Sequence, residues 1–170
     1  HEDGLADSLD GFGGGYTREA VLRIMHDSRI GSFGAIALIL ALLLKLELLA
    51  CIPLPWLPAA LLAGHASSRW GAVSLLASLD YVRPEGKSKP LATRLGPSGL
   101  LLATLFGLAP LLMLPIHTAL LALAAVILMR QLLANYYRQR LGGYTGDALG
   151  MAQQLCELTV YLVLSACLST

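Results

Sequence analysis

Asp3, Asp7 and Asp10 stand at i, i+4 and i+7 in the segment His1-Glu2-Asp3-Gly4-Leu5-Ala6-Asp7-Ser8-Leu9-Asp10-Gly11. On a helix they fall within an arc of roughly 60°. Carboxylates crowded on one face repel, and the usual relief is a hard divalent cation, which takes oxygen ligands. Gly4 and Gly11, each one residue past an aspartate, let a ligand or a neighbouring backbone come close. A solvated acidic helix end is the plainer reading in a soluble protein. The apolar composition of this chain argues against it.

A second acidic face lies near the other end. Asp147, Gly150, Gln154 and Glu157 recur at i, i+3, i+7 and i+10, again one stripe of a helix. The turn before it, Gly142-Gly143-Tyr144-Thr145-Gly146, can offer backbone N–H groups where a helix N-terminus favours phosphate. Asp27 and Arg29 add an acid and a cation, next to Ser28. Two acidic stripes beside glycine-rich turns suit phosphoryl transfer, in which metal ions neutralise phosphate oxygens and arginine forks hold them. The sequence has no Gly-x-Ser-x-Gly elbow, no His-Glu-x-x-His and no P-loop, so acyl-transfer, zinc and P-loop chemistry have little support.

The elements that must position these residues are membrane helices. Of 170 residues 56% are hydrophobic and 14% charged, against about 25% charged in soluble domains. The net charge is +1 without any basic stretch, which sets nucleic acid aside. Cys51, Cys156 and Cys167 lie in apolar runs without metal-type spacing and read as buried hydrophobes. The pattern predicts an all-α polytopic membrane bundle. About five transmembrane helices are expected, near 33–52, 58–79, 97–114, 116–134 and 149–168, with a short interfacial helix over 18–26 capped by Thr17. The loops 80–96 and 135–148 carry the Lys and Arg, whereas 53–57 and 115–118 carry none. Residues 1–32 and both charged loops therefore share the cytoplasmic face. The chain reads as one integral-membrane catalytic domain over 1–170. Its start at a histidine inside a motif leads us to expect upstream sequence.

Ionisable groups within spans mark cavities or ion pathways. Lys45 and Glu47, two residues apart, point to different sides of their helix. Arg69, in mid-span after two serines, reads as an anion site, the alternative being an ion pair with Glu47. His65, one turn earlier, reads as a packing histidine.

Taken together, His1-x-Asp3-Gly4-Leu5-Ala6-Asp7-x-x-Asp10-Gly11, Ile24-Met25-His26-Asp27-Ser28-Arg29-Ile30-Gly31, Ser68-Arg69 and Leu141-Gly142-Gly143-Tyr144-Thr145-Gly146-Asp147-x-x-Gly150 resemble cobalamin synthase, the adenosylcobinamide-GDP ribazoletransferase family. The likeness runs in the same order over nearly the whole chain, and Lys45 and Arg83 with Glu85-Gly86 fall where the family tends to have such residues. It implies a Mg²⁺-dependent enzyme of the bacterial inner membrane, active on its cytoplasmic side. The enzyme would join adenosylcobinamide-GDP to α-ribazole or its 5′-phosphate and release GMP. Its partners would be these two substrates and the bilayer, with room for a homo-oligomer or association with other cobalamin-assembly enzymes. The resemblance implies metal ligation by Asp3, Asp7, Asp10 and Asp27, and phosphate contacts from Arg29 and Arg69. Ser28, Arg83, Gly143, Thr145 and Gly146 would bind substrate, and Asp147 would be the general base or a further ligand. Gln154 departs from the family, which often has Glu there, and is not counted as a ligand. Rival readings are a CDP-alcohol phosphotransferase, which expects Ala-Arg where this chain has Ala6-Asp7, an aromatic prenyltransferase, and a cation transporter, which expects its acids near the bilayer midplane.

Overall fold

The computed structural model describes residues 1–82 and 95–168. They form α1 (Glu2–Gly14), α2 (Arg18–His26), α3 (Ser32–Ala50), α4 (Leu57–Leu75), α5 (Pro97–Leu108), α6 (Ile116–Leu141) and α7 (Gly146–Leu168). Short 3₁₀ turns cover Leu54–Trp56 and Ala109–Met113, and no named strand occurs among the described residues. The all-α expectation holds. Of the five apolar segments, α3, α6 and α7 are long and apolar enough to cross a membrane. The other two fall short of that measure. α4 is interrupted by His65, Ser67, Ser68 and Arg69, and Pro97–Met113 is shorter and tightens to 3₁₀ geometry at Pro110, which has no N–H for a helical bond.

α7 is the central element, packed on α1, α3, α4 and α6. Of its most apolar stretch 61% is buried, against 11% for α3, whose Ile36, Ile39, Leu43 and Leu46 face outward. That outward face is the lipid-facing surface expected of a membrane helix. α4 buries the small residues Ala60, Ala63, Gly64, Ser67 and Gly71. On α7, a Cβ at Gly64 would strike the Tyr161 ring and one at Gly71 would press on Cys156. Without water to drive association, membrane helices gain from such close approach between small residues. α7 passes through two apolar cores. One gathers Leu5, Phe12, Leu75, Tyr137 and Ala148, the other Ala60, Leu111, Val126, Tyr161 and Leu164. Between them α7 buries three polar side chains, Gln153, Gln154 and Glu157.

Helix ends are closed by side chains, since terminal N–H and C=O groups lack partners within the helix. Thr17 accepts from Ala20 N at 3.2 Å. Thr145 accepts from Ala148 N at 3.1 Å and so caps α7. α6 ends at Gly142, whose φ of 75° suits glycine. Arg130 of α6 donates to the carbonyl of Ser74 at 3.0 Å and to the Ser78 hydroxyl, gripping the end of α4. Val82 N donates to Tyr144 O at 3.0 Å and Tyr144 N to Asp80 O at 2.9 Å. The segments after α4 and before α7 therefore lie side by side at one end of the bundle.

Candidate active site

The two acidic stripes meet where α1 crosses α7. A Cβ on Gly4 would stand 2.8 Å from the carbonyl oxygen of Asp147 and 3.1 Å from Cα of Gly150. Only a bare glycine backbone allows that approach. Asp3 and Asp7, one turn apart on α1, and Asp147, in the first turn of α7, belong to the two helices that cross here. The Asp3 side chain is exposed and accepts from Gly4 N at 2.7 Å. That backbone N–H holds its carboxyl below the usual carboxylate range. Asp7 is half-buried. An acid at a helix start is favoured by the orphan N–H groups there, and Asp147 has that place.

Beside the crossing, between α4 and α7, lies a cavity of about 520 Å³ bordered by Arg69, Tyr81, Tyr144, Gly146, Gly150 and Gln153. The rings of Tyr81 and Tyr144 meet edge to face at 5.5 Å. Burial pushes the Tyr144 phenol above its ordinary pKa, so it is a neutral hydroxyl at physiological pH.

The remaining candidates lie elsewhere. Asp10 is buried, and its two oxygens accept from Gly31 N at 2.6 Å and Gly34 N at 2.8 Å. Its carboxylate thus caps α3. Asp27 faces Arg29 at 2.6 Å in an exposed pair, and Arg29 holds the Asp27 carboxyl down at about 2. Asp10, Asp27 and Arg29 border a separate groove of about 440 Å³, with exposed Ser28 beside it in sequence. Arg29 and Arg69 therefore do not border the same cavity. Thr145 is buried at its cap, and Gly143 packs against the Asp80 carbonyl. Arg83 lies outside the described residues.

Among the described residues no three His, Cys, Asp or Glu side chains converge into a metal cage. Magnesium does not need one. It keeps several waters and is commonly held by one or two carboxylates together with substrate phosphates. Asp3 and Asp7 have that chemistry and spacing; Asp10 has both oxygens on backbone amides.

One polar network escaped the sequence reading. Glu157 is 1% exposed, with Lys45 Nζ at 3.3 Å and His65 Nδ1 at 3.5 Å. Lys45 also donates to Gln154 Oε1 at 3.0 Å, and Gln154 Nε2 donates to Glu2 at 3.3 Å. Lys45 of α3 is thus paired with α7, while Glu47 is exposed. The stripe through Gln154 and Glu157 was visible, but its partner lay 109 residues from Gln154. Arg130, clamped to Ser74 and Ser78, was not singled out either, because nothing near it in sequence marks it.

Apolar outer faces around buried charges define a helical membrane protein, with the α1–α7 crossing and the cavity beside it as its candidate site. The family model described as cobalamin-5-phosphate synthase matches residues 1–165, and the chain belongs to that family. It is 54% identical to the adenosylcobinamide-GDP ribazoletransferase of Ralstonia pickettii (strain 12J), over 100% of this chain and 67% of that protein. It is 53% identical to the enzyme of that name from Ralstonia nicotianae, over 98% and 66%, and 50% identical to that of Shewanella sp. (strain W3-18-1), over 96% and 64%. The chain therefore spans about two thirds of the length of these relatives. No solved structure matches it.

Proposed function

We propose that this chain carries the catalytic core of an adenosylcobinamide-GDP ribazoletransferase. It transfers the cobinamide-phosphate group of adenosylcobinamide-GDP to α-ribazole, or α-ribazole 5′-phosphate, and releases GMP, on the cytoplasmic face of the bacterial inner membrane. The observation that supports this reading is the crossing of α1 and α7 at Gly4 and Gly150 beside the Arg69 cavity, because Asp3, Asp7 and Asp147 belong to those two helices. The shared name of the relatives gives no support to CDP-alcohol phosphotransfer, prenyl transfer or cation transport.

A ribose hydroxyl oxygen attacks the phosphorus that bears the cobinamide. The bond from that phosphorus to the bridging oxygen breaks, and GMP leaves with the bridging oxygen. Asp147 accepts the hydroxyl proton, within reach of a nucleoside seated in the cavity. Asp3 and Asp7 would hold Mg²⁺, which when bound would neutralise charge on the phosphate oxygens. Asp10 positions α3 through Gly31 and Gly34, and the Asp27–Arg29 pair stays with the separate groove.

The purified membrane protein, given adenosylcobinamide-GDP, α-ribazole and Mg²⁺, is expected to yield GMP and a cobalamin. Asp3→Asn and Asp7→Asn should each lower GMP release by about 100-fold or more while the protein stays in the membrane. Asp27→Asn should lose only a few-fold. Full activity in the first two variants would remove Asp3 and Asp7 from the site.

A further inference from the structure

The cavity between α4 and α7 has a chemistry of its own. α4 contributes Arg69, Ala72, Val73 and Leu76, and α7 contributes Gly146, Leu149, Gly150 and Gln153. Each set is one i, i+3, i+4, i+7 stripe, so two facing helices build the walls. The polar side chains are His1, Arg69, Tyr81, Tyr144 and Gln153. Tyr81 and Tyr144 stand at the end of the bundle where α7 starts. Arg69 lies about 10 Å deeper in the bundle than Leu76, the C-cap of α4. Gln153, about 10 Å along α7 from Gly146 and so level with Arg69, is 4% exposed and borders the cavity. Its amide is not among the buried polar atoms left without a partner, so it reaches the cavity surface, where whatever fills the space can bond it.

We infer that this cavity is the subsite for the base of the acceptor nucleoside, a flat bicyclic aromatic ring of the benzimidazole type with one ring-nitrogen acceptor. The inference rests on the ribazoletransferase reading. Such a ring is apolar over most of its edge, which suits Ala72, Val73, Leu76 and Leu149. Its free nitrogen accepts one hydrogen bond, and Gln153 has an amide N–H to give. The Arg69 guanidinium stacks favourably on a neutral aromatic face. Seated this way, the base leaves its ribose toward Gly146 and Asp147. Guanine, the other base in the reaction, fits poorly. Its edge presents N–H donors that want acceptors such as a carboxylate, and no carboxylate borders the cavity. The acceptors that do border it, the Gln153 side-chain oxygen and the Tyr81 and Tyr144 hydroxyls, are neutral.

The test uses the intact membrane protein in detergent, with Gln153→Leu and the space-filling Val73→Trp as variants. Expected is a KM for α-ribazole raised about tenfold by each, with the KM for adenosylcobinamide-GDP within twofold of the parent. Equilibrium dialysis of α-ribazole should show the same loss, and GMP binding should not move. A raised KM for adenosylcobinamide-GDP alone, or weakened GMP binding alone, would assign the cavity to guanosine and overturn the inference. Unchanged α-ribazole binding in both variants would overturn it too. Parent protein that binds α-ribazole in a Gln153-dependent way but releases no GMP would uphold the subsite and count against the ribazoletransferase reading. GMP release with α-ribazole binding indifferent to both variants would do the reverse.

Discussion

Glu157 is buried where α7 passes between two apolar cores, with a cation beside it. Lys45 Nζ at 3.3 Å supplies the opposite charge and His65 lies at 3.5 Å. Removing one member of a buried pair leaves an uncompensated charge, whereas replacing both with neutral groups of similar shape is often close to neutral. Lys45→Met should therefore destabilise the protein by about 3 kcal/mol or more. The double variant Lys45→Met with Glu157→Gln should recover most of that loss. Thermal unfolding of the three proteins in one detergent reads the difference. Equal destabilisation in the single and double variants would show that Lys45 contributes packing and not charge. His65, read from sequence as a packing histidine, has an acid within 3.5 Å of its ring.

At the scale of elements, the crossing of α1 and α7 depends on glycine. The backbone oxygen of Asp147 lies 2.8 Å from where a Gly4 Cβ would be, and a backbone atom cannot swing aside as a side chain can. Gly4→Val should push α1 off α7, lower the melting temperature by several degrees and remove activity with it. Gly96→Ser is the matched comparison. Nothing lies within 4 Å of its Cβ position, it precedes α5, and serine is a good N-cap there. Its unfolding should match the parent. The helices themselves were legible from sequence because their signals are local: Thr17 before Arg18, glycine after Leu141, and a change of hydropathy at each span. The capping of α3 was not. Asp10 looked like a third metal ligand by its spacing, and only the fold reveals that the chain returns 21 residues later to place Gly31 N on its carboxylate. Spacing along α1 says which residues share a face, but not what that face meets. The same limit hid Gln153, whose neighbours on the α7 stripe are unremarkable until α4 stands opposite.

For the whole molecule, the orientation of the bundle follows from the hydrogen bonds that join its ends. Tyr144 and Asp80 are linked backbone to backbone, so the turns after α4 and before α7 share one face. α3 starts on Asp10 of α1 and runs to Ala50, and α4 returns from Leu57 to that same face. Residues 51–56 must then lie at the opposite end. The distribution of charge agrees, with Arg138 and Arg140 on the first face and no Lys or Arg between Ala50 and Leu57. The native thiols make this testable. Cys51 is exposed, while Cys156 is buried. In a protein with Cys156→Ala and Cys167→Ala, Cys51 should react with a membrane-impermeant maleimide from one side of sealed vesicles only. Moving the single thiol by Cys51→Ser with Tyr16→Cys, at a position 97% exposed, should reverse the side. On the cytoplasmic assignment, Cys51 reacts in right-side-out vesicles and the thiol at position 16 in inverted ones. Labelling of both from the same side would mean that α3 does not cross the bilayer, and the acidic crossing of α1 and α7 would lose its place at the membrane face.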